Sequence, residues 1–131
     1  MSERRERFGH TAELQDALAA LIVAGKKCAT SSLRRWYDDG TLPLPRVGET
    51  WIVEDGSGRA CCRCRTTHVE VRPFGQVDES HARAEGEDDG SLASWQAIHR
   101  EFFGREADEH GFVFDDESLV VLERFERLPS L

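Results

Sequence analysis

The sequence predicts an α+β domain in which helices pack at the openings of a small curved or closed sheet. Three observations predict it. The elements read as helix, helix, hairpin strands, helix, helix, strands, and this order lacks the β-α-β alternation of a doubly wound sheet. Asp55-Gly56-Ser57-Gly58 is a hairpin turn between two strand-like runs. Two stretches, Leu14 to Ile22 and Trp95 to Phe103, repeat apolar residues at three- and four-residue steps.

Residues 1–10 are polar and are expected to be a frayed end, leaving 11–131 as one domain. Thr11 is placed to cap the first helix, and Glu13 adds negative charge to its first turn. Leu14, Ala17, Leu18, Leu21 and Ile22 form its apolar face, and Gly25 ends it in the left-handed conformation that glycine adopts freely. A second short helix is expected over Ser31–Asp38, packed through Leu33, Trp36 and Tyr37. The prolines of Leu42-Pro43-Leu44-Pro45 then hold an extended connection. Strands are expected over Thr50–Glu54 and Arg59–Arg72, and a short helix over Asp78–Ala84. Glu85 to Gly90 reads as an acidic loop. Ser91 caps a long helix to about Glu109, with Trp95, Ile98, Phe102, His99 and Phe103 as its buried stripe. Phe112–Phe114 and Leu119–Phe125 read as the last two strands.

The net charge of −8 is unevenly spread. Residues 1–75 carry 12 Lys/Arg against 10 Asp/Glu, and residues 76–131 carry 5 against 15. A duplex-binding face needs several phosphate-neutralising cations, so extended duplex DNA is not an expected partner. Two local patches, Lys26-Lys27 with Arg34-Arg35 and Arg59, Arg63, Arg65 and Arg72, either hold a nucleotide or short single strand or are solvated faces. No apolar run approaches the roughly 20 residues of a membrane span, and the N-terminus has no signal-type pattern, so a cytoplasmic location is expected. Cys28, Cys61, Cys62 and Cys64 lack the spacing of a metal site. They are expected to pack as reduced core residues, with no metal or cofactor.

The chemistry concentrates at Gly25-Lys26-Lys27-Cys28-Ala29-Thr30. Lys27 and Thr30 are three apart, a spacing that shares one side of a turn entering a helix. Lys27 either takes the proton of Thr30, making it a nucleophile, or stays charged and holds a carbonyl oxygen or phosphate. Otherwise both residues merely cap the turn. Arg34 is either an anion contact or a surface charge. His99 lies on an apolar stripe, where a histidine is a core residue or points into a cleft. Trp36, Tyr37 and Trp95 are core by type, and any one exposed at a cleft can stack a base.

These pieces resemble the ASCH domain family over about residues 11–128, and in particular a bacterial single-domain subgroup. The family's Gly-x-Lys-x-x-Thr falls on Gly25, Lys27 and Thr30. Further blocks follow in order: Ala24 to Leu33, Leu44-Pro-x-Val-Gly48, Thr66 to Phe74, Ala84 to Glu87, Ser91-Leu-x-x-Trp95 and His99-x-x-Phe-Phe103. The resemblance implies a barrel similar to that of RNA-binding PUA domains, with a cleft lined by the Gly-x-Lys-x-x-Thr turn. It implies action on, or binding of, a nucleoside, nucleotide or short single-stranded RNA. Relatives include amidohydrolases that deacetylate acetylated cytidine and members credited with ribonuclease activity. In the amidohydrolases a Lys and a Thr work with a Glu from a His-Ala-x-x-Glu stretch, which here is His81 to Glu85. The expected catalytic residues are therefore Lys27, Thr30 and Glu85, with Gly25, Arg34, Glu87 and His99 as ligand contacts. Glu85 is expected to protonate the leaving amine or orient water. The chain departs from its relatives at Ser32, where many have Arg, and at Gly86, where the amidohydrolases have Asn.

Overall fold

A computed structural model describes residues 3–129 and 131. Strand β1 (Arg4–Glu6) leads into helix α1 (Ala12–Val23), strand β2 (Ala29–Leu33) and helix α2 (Arg35–Asp38). Strands β3 (Thr50–Glu54) and β4 (Ala60–Pro73) follow, then helices α3 (Glu79–Glu85) and α4 (Leu92–His110) and strand β5 (Leu119–Arg127). The five strands form one sheet in the order β1-β3-β4-β5-β2, antiparallel except for the β1–β3 pair. Bulges between Val53 and Glu54 in the β3–β4 hairpin and between Thr66 and His68 in the β4–β5 ladder add twist to the sheet. The sheet curls until Arg4 on β1 reaches Glu123 on β5 at 3.1 Å. The α+β expectation holds, with the barrel realised as a five-stranded half-barrel carrying four helices.

Two cores form, one against each face. Ala19 and Ile22 of α1 cover Trp51, Val53, Cys62, Cys64 and Phe125. On the other face Trp95 and Phe103 of α4, with Ala82 of α3 and Phe74, cover Leu33, Val120 and Leu122. Strand β5 is buried on both sides from Val120 to Glu123, which is why it reads as a nearly continuous apolar run. Burying each large side chain contributes about 1.5–3 kcal/mol. Cys62 and Cys64 take the core positions expected of them, and all four cysteines are free. No helix among the described residues is long and apolar enough to cross a membrane.

The caps at Thr11 and Ser91 accept the backbone N–H three residues on, as the sequence predicts, and Asp78 does the same one residue before a helix it was expected to begin. Four expectations fail. Ile98 and Phe102 do not belong to the buried stripe of α4, which is Trp95, His99, Phe103 and Ala107; they are exposed at the cleft. Residues 4–6 are not a loose end, because they pair in parallel with Trp51 to Val53. Phe112–Phe114 is not a strand; Phe112 and Phe114 pack their rings on the core, and the Phe112 N–H donates to Ala107 O of α4 rather than to a strand. Ser31–Asp38 is not one helix. Residues 29–33 pair with Val120 to Arg124, and only Arg35–Asp38 is helical. Serine and threonine are weak helix formers, so the apolar edge offered by β5 decides their conformation.

Candidate active site

A cleft of about 530 Å³ opens between the sheet edges and α4, and Lys27, Thr30, Glu85, Glu87, His99 and Glu123 are among its lining residues. Helix α3 brings Glu85 there. Asp78 caps its first turn by accepting the His81 N–H at 3.0 Å, and the four-residue step to Glu85 puts both side chains on the buried face. The helix ends at Gly86, which has φ +66°, and the Cys28 N–H donates to Ala84 O at 2.7 Å. This contact seats the end of α3 against the turn that carries Lys27. A Cβ at Gly86 would lie 2.1 Å from Lys26 O, so the departure at this position has a local cause. Gly86→Ala is expected to destabilise the protein by at least about 1 kcal/mol and to shift Lys27, measurable as a lower melting temperature with weakened cleft function.

Lys27 is only 2% exposed. Its Nζ donates to Ala29 O at 2.8 Å, Glu87 Oε2 at 2.9 Å and Glu85 Oε1 at 3.4 Å. All three ammonium protons therefore have acceptors. Glu85 is 1% exposed and collects donors on both oxygens. Oε2 accepts from His81 Nε2 at 2.7 Å, Trp95 Nε1 at 2.7 Å and Ser31 Oγ at 2.9 Å. Oε1 faces Lys27 and also His99 Nε2, at 3.4 Å. Burial alone would raise the Glu85 pKa, but the Lys27 charge and hydrogen bonds from His81 and His99 overcome it and hold the carboxyl well below its ordinary value. Glu85 is thus a fixed anion that orders its neighbours.

His99 Nδ1 lies 2.9 Å from Trp95 O, a carbonyl that can only accept, so Nδ1 carries a proton. Nε2 then donates to Glu85 only in the imidazolium form. Burial disfavours that form, but the Glu85 hydrogen bond and charge outweigh it and raise the pKa above 6.5. A raised pKa contributes stability that is complete below 6.5 and disappears as pH climbs through the folded-state value. Melting temperature is therefore expected to fall from pH 6 to 9 in the wild type and to stay flatter in His99→Gln, as followed by thermal melts across that range.

Strand geometry redistributes the hydroxyls. Alternation along β2 turns Ser31, with Leu33, toward α3 and α4, and turns Thr30 to the opposite face. The hydroxyl beside Glu85 is therefore Ser31. Reading this segment as a helix concealed that, and a two-residue alternation of Ala29, Ser31 and Leu33 was the available signal. The sequence reading also missed Arg4, Glu6 and Glu123, which line the far side of the cleft. Lys27, Thr30, Glu85, Glu87 and His99 share the cleft; Gly25 and Arg34 are not among its lining residues. Gly25 shapes the turn at φ +79°, and Arg34 pairs with Asp38 at 3.3 Å. The second basic patch is largely neutralised: Arg63 by Glu3, Arg65 by Glu126, and Arg72 by Glu70 and Asp78.

One oxygen or nitrogen from each of Glu85, Glu87 and His99 falls within a 4.8 Å cluster that fits a metal ion's donor set. The Lys27 ammonium already bridges the two carboxylates and supplies the cation's charge there.

The family model for the ASCH domain matches residues 4–128. The chain belongs to the ASCH domain family. This ASCH domain is 37% identical to one from Lactobacillus crispatus JV V101, with a TM-score of 0.91 over 96% of this chain and 79% of that one. It is 32% identical to a protein from Enterococcus faecalis V583, with a TM-score of 0.85 over 98% of this chain and 81% of the other. A third structure, of a hypothetical protein, shares the fold at 19% identity and a TM-score of 0.58, covering 86% of this chain and 93% of the other. No curated protein matches this ASCH domain.

Proposed function

We propose that this ASCH domain is an amidohydrolase that removes an acyl group from a modified, uncharged nucleoside. The observation that carries the reading is that Lys27, Thr30 and Glu85 line one cleft although they come from a turn, a strand and a helix. Thr30 serves as the nucleophile. The Lys27 ammonium stabilises the oxyanion that forms on the acyl carbonyl, exchanging its long contact to Glu85 for one to the substrate. Glu85 holds Lys27 and His99 in place. Its depressed pKa makes it a poor proton donor, so its role is electrostatic rather than acidic. His99, whose pKa is raised and whose Nε2 faces Glu85 in the cleft, is suited to protonate the leaving nitrogen.

The lining favours an uncharged ligand over a phosphorylated one. Phe8, Trp36, Leu42, Ile98 and Phe102 supply apolar walls, and the carboxylates of Glu6, Glu85, Glu87, Glu101, Glu106 and Glu123 outnumber the cations Arg4, Arg7, Lys27 and Arg105 there, which disfavours phosphate. The test is to incubate the protein with a panel of acylated nucleosides, their 5′-monophosphates and a short single-stranded RNA. Release of the acyl group, fastest from the nucleosides, supports the reading. Salt-sensitive RNA affinity with no hydrolysis would replace it with a non-catalytic RNA-binding role, and RNA cleavage would replace it with a ribonuclease.

A further inference from the structure

The three residues placed at the site leave Thr30 without a proton acceptor. The Lys27 ammonium has no lone pair, and Glu85 faces away from Thr30 across β2, filled with donors. A carboxylate does stand on Thr30's own face. The Arg34 N–H donates to Leu119 O and the Phe125 N–H to Cys28 O, and these bonds set the closely bonded pairs of the β2–β5 ladder at alternate residues. Thr30 and Glu123 are register partners within that series. Their Cα atoms are about 5.5 Å apart by ladder geometry, and their side chains project from the same face.

Glu123 is 6% exposed and also lines the cleft. It is rigidly held. The Trp51 indole N–H donates to Thr66 Oγ1 at 3.0 Å, so Thr66 turns its own proton to Glu123 Oε2 at 2.6 Å. Arg4 Nη2 donates to the same oxygen at 3.1 Å. Among the described residues, both side-chain donors fall on Oε2, and Oε1 is left for another partner. A buried carboxylate costs several kcal/mol unless its surroundings compensate it, and this one is clamped by one oxygen beside a hydroxyl in the cleft.

We infer that Glu123 is the catalytic base for Thr30. The inference deepens the amidohydrolase reading of the same cleft and rests on it for the substrate. Glu123 Oε1 takes the Thr30 Oγ1 proton as Oγ1 bonds to the acyl carbon. The C–N bond then breaks, its electron pair stays on nitrogen, and His99 completes the amine with its proton; the proton taken by Glu123 returns to His99 through solvent, so that Glu123 is again a carboxylate. In the second half a water molecule gives a proton to the carboxylate and its oxygen to the ester carbon. Thr30 Oγ1 leaves and is reprotonated, so the sum is amide plus water to amine plus carboxylic acid.

The test reads Thr30 directly and needs no natural substrate. The probe is p-nitrophenyl dimethylcarbamate, which transfers a slowly hydrolysed carbamoyl group to an activated hydroxyl. Labelling is followed by intact mass and located by peptide mapping. The wild type is expected to be labelled at Thr30, and Glu123→Gln about 100-fold more slowly. Thr66→Val removes the contact to Oε2 and the acceptor of the Trp51 N–H but keeps the carboxylate, and it is expected to lower the melting temperature while holding the labelling rate within a few-fold, which separates a base from a structural support. Should Glu123→Gln fail to fold, Glu123→Asp, which withdraws the carboxylate by one methylene, is expected to slow labelling at least tenfold. Equal labelling of wild type and the Glu123 variant, or no labelling of Thr30 in the wild type, overturns the inference. Glu123-dependent labelling without turnover of any acylated nucleoside overturns the substrate reading and leaves the base in place.

Discussion

Glu85→Ala is expected to cost about 3–5 kcal/mol of folding stability, the usual penalty for removing one partner of a buried ion pair. The substitution would remove one of the two carboxylates that neutralise the Lys27 ammonium at a 2%-exposed position, leaving Glu87 alone. It would also orphan donors from Ser31, His81 and Trp95, which converge on one oxygen. A loss of this size lowers the melting temperature by roughly 10 °C or more in a chain of this length. Glu85→Gln keeps the shape but offers an amide N–H where donors already point, so about 1–3 kcal/mol is expected. Urea unfolding of the two variants beside the wild type measures both. A loss below 1 kcal/mol for Glu85→Ala would mean that Glu85 is not the hub of this cluster.

Lys27→Met is expected to abolish the acyl-transfer chemistry, with a loss of about 100- to 1000-fold, the cost of removing an oxyanion-stabilising donor. It also changes acid stability in a definite direction. The folded-state pKa of Glu85 is depressed, so its contribution to stability is present above the ordinary value of 4.5 and fades as pH falls through the depressed one. The Lys27 charge is the foremost influence opposing burial, so without it the Glu85 pKa rises. Acid unfolding of Lys27→Met should therefore begin at higher pH than in the wild type, as followed by circular dichroism during acid titration. Glu123→Gln, by contrast, should leave the acid transition governed by Glu85 where it was.

Much of this architecture was legible in the chain. Side-chain caps at Thr11 and Ser91 announce two helices, and Asp55 to Gly58 announces the hairpin, because each is a local choice. What the chain concealed is non-local. Arg4 to Glu6 looks like a polar end until the Trp51–Val53 backbone offers it a partner. Ala29 to Leu33 has no local preference strong enough to resist pairing with β5. That pairing also rearranges the site. Lys27, Thr30 and Glu85 were legible through the family pattern, and they do meet at one cleft. The sides of β2 on which Thr30 and Ser31 lie, and the presence of Glu123 opposite Thr30, depend on a register that joins residues 93 positions apart. Gly25 and Arg34 fall outside the cleft: Gly25 shapes the turn before Lys27, and Arg34 follows the end of β2 and pairs with Asp38.

The most direct measurement is the rate of acetate release from acetylated cytidine by the wild type and by Thr30→Ala, with a thermal melt of each. Lysine, threonine and glutamate working as one hydrolytic centre predicts release by the wild type, background release by Thr30→Ala, and similar melting temperatures. Equal release by the two proteins, or none by the wild type on acetylated cytidine and other acylated nucleosides, would contradict it.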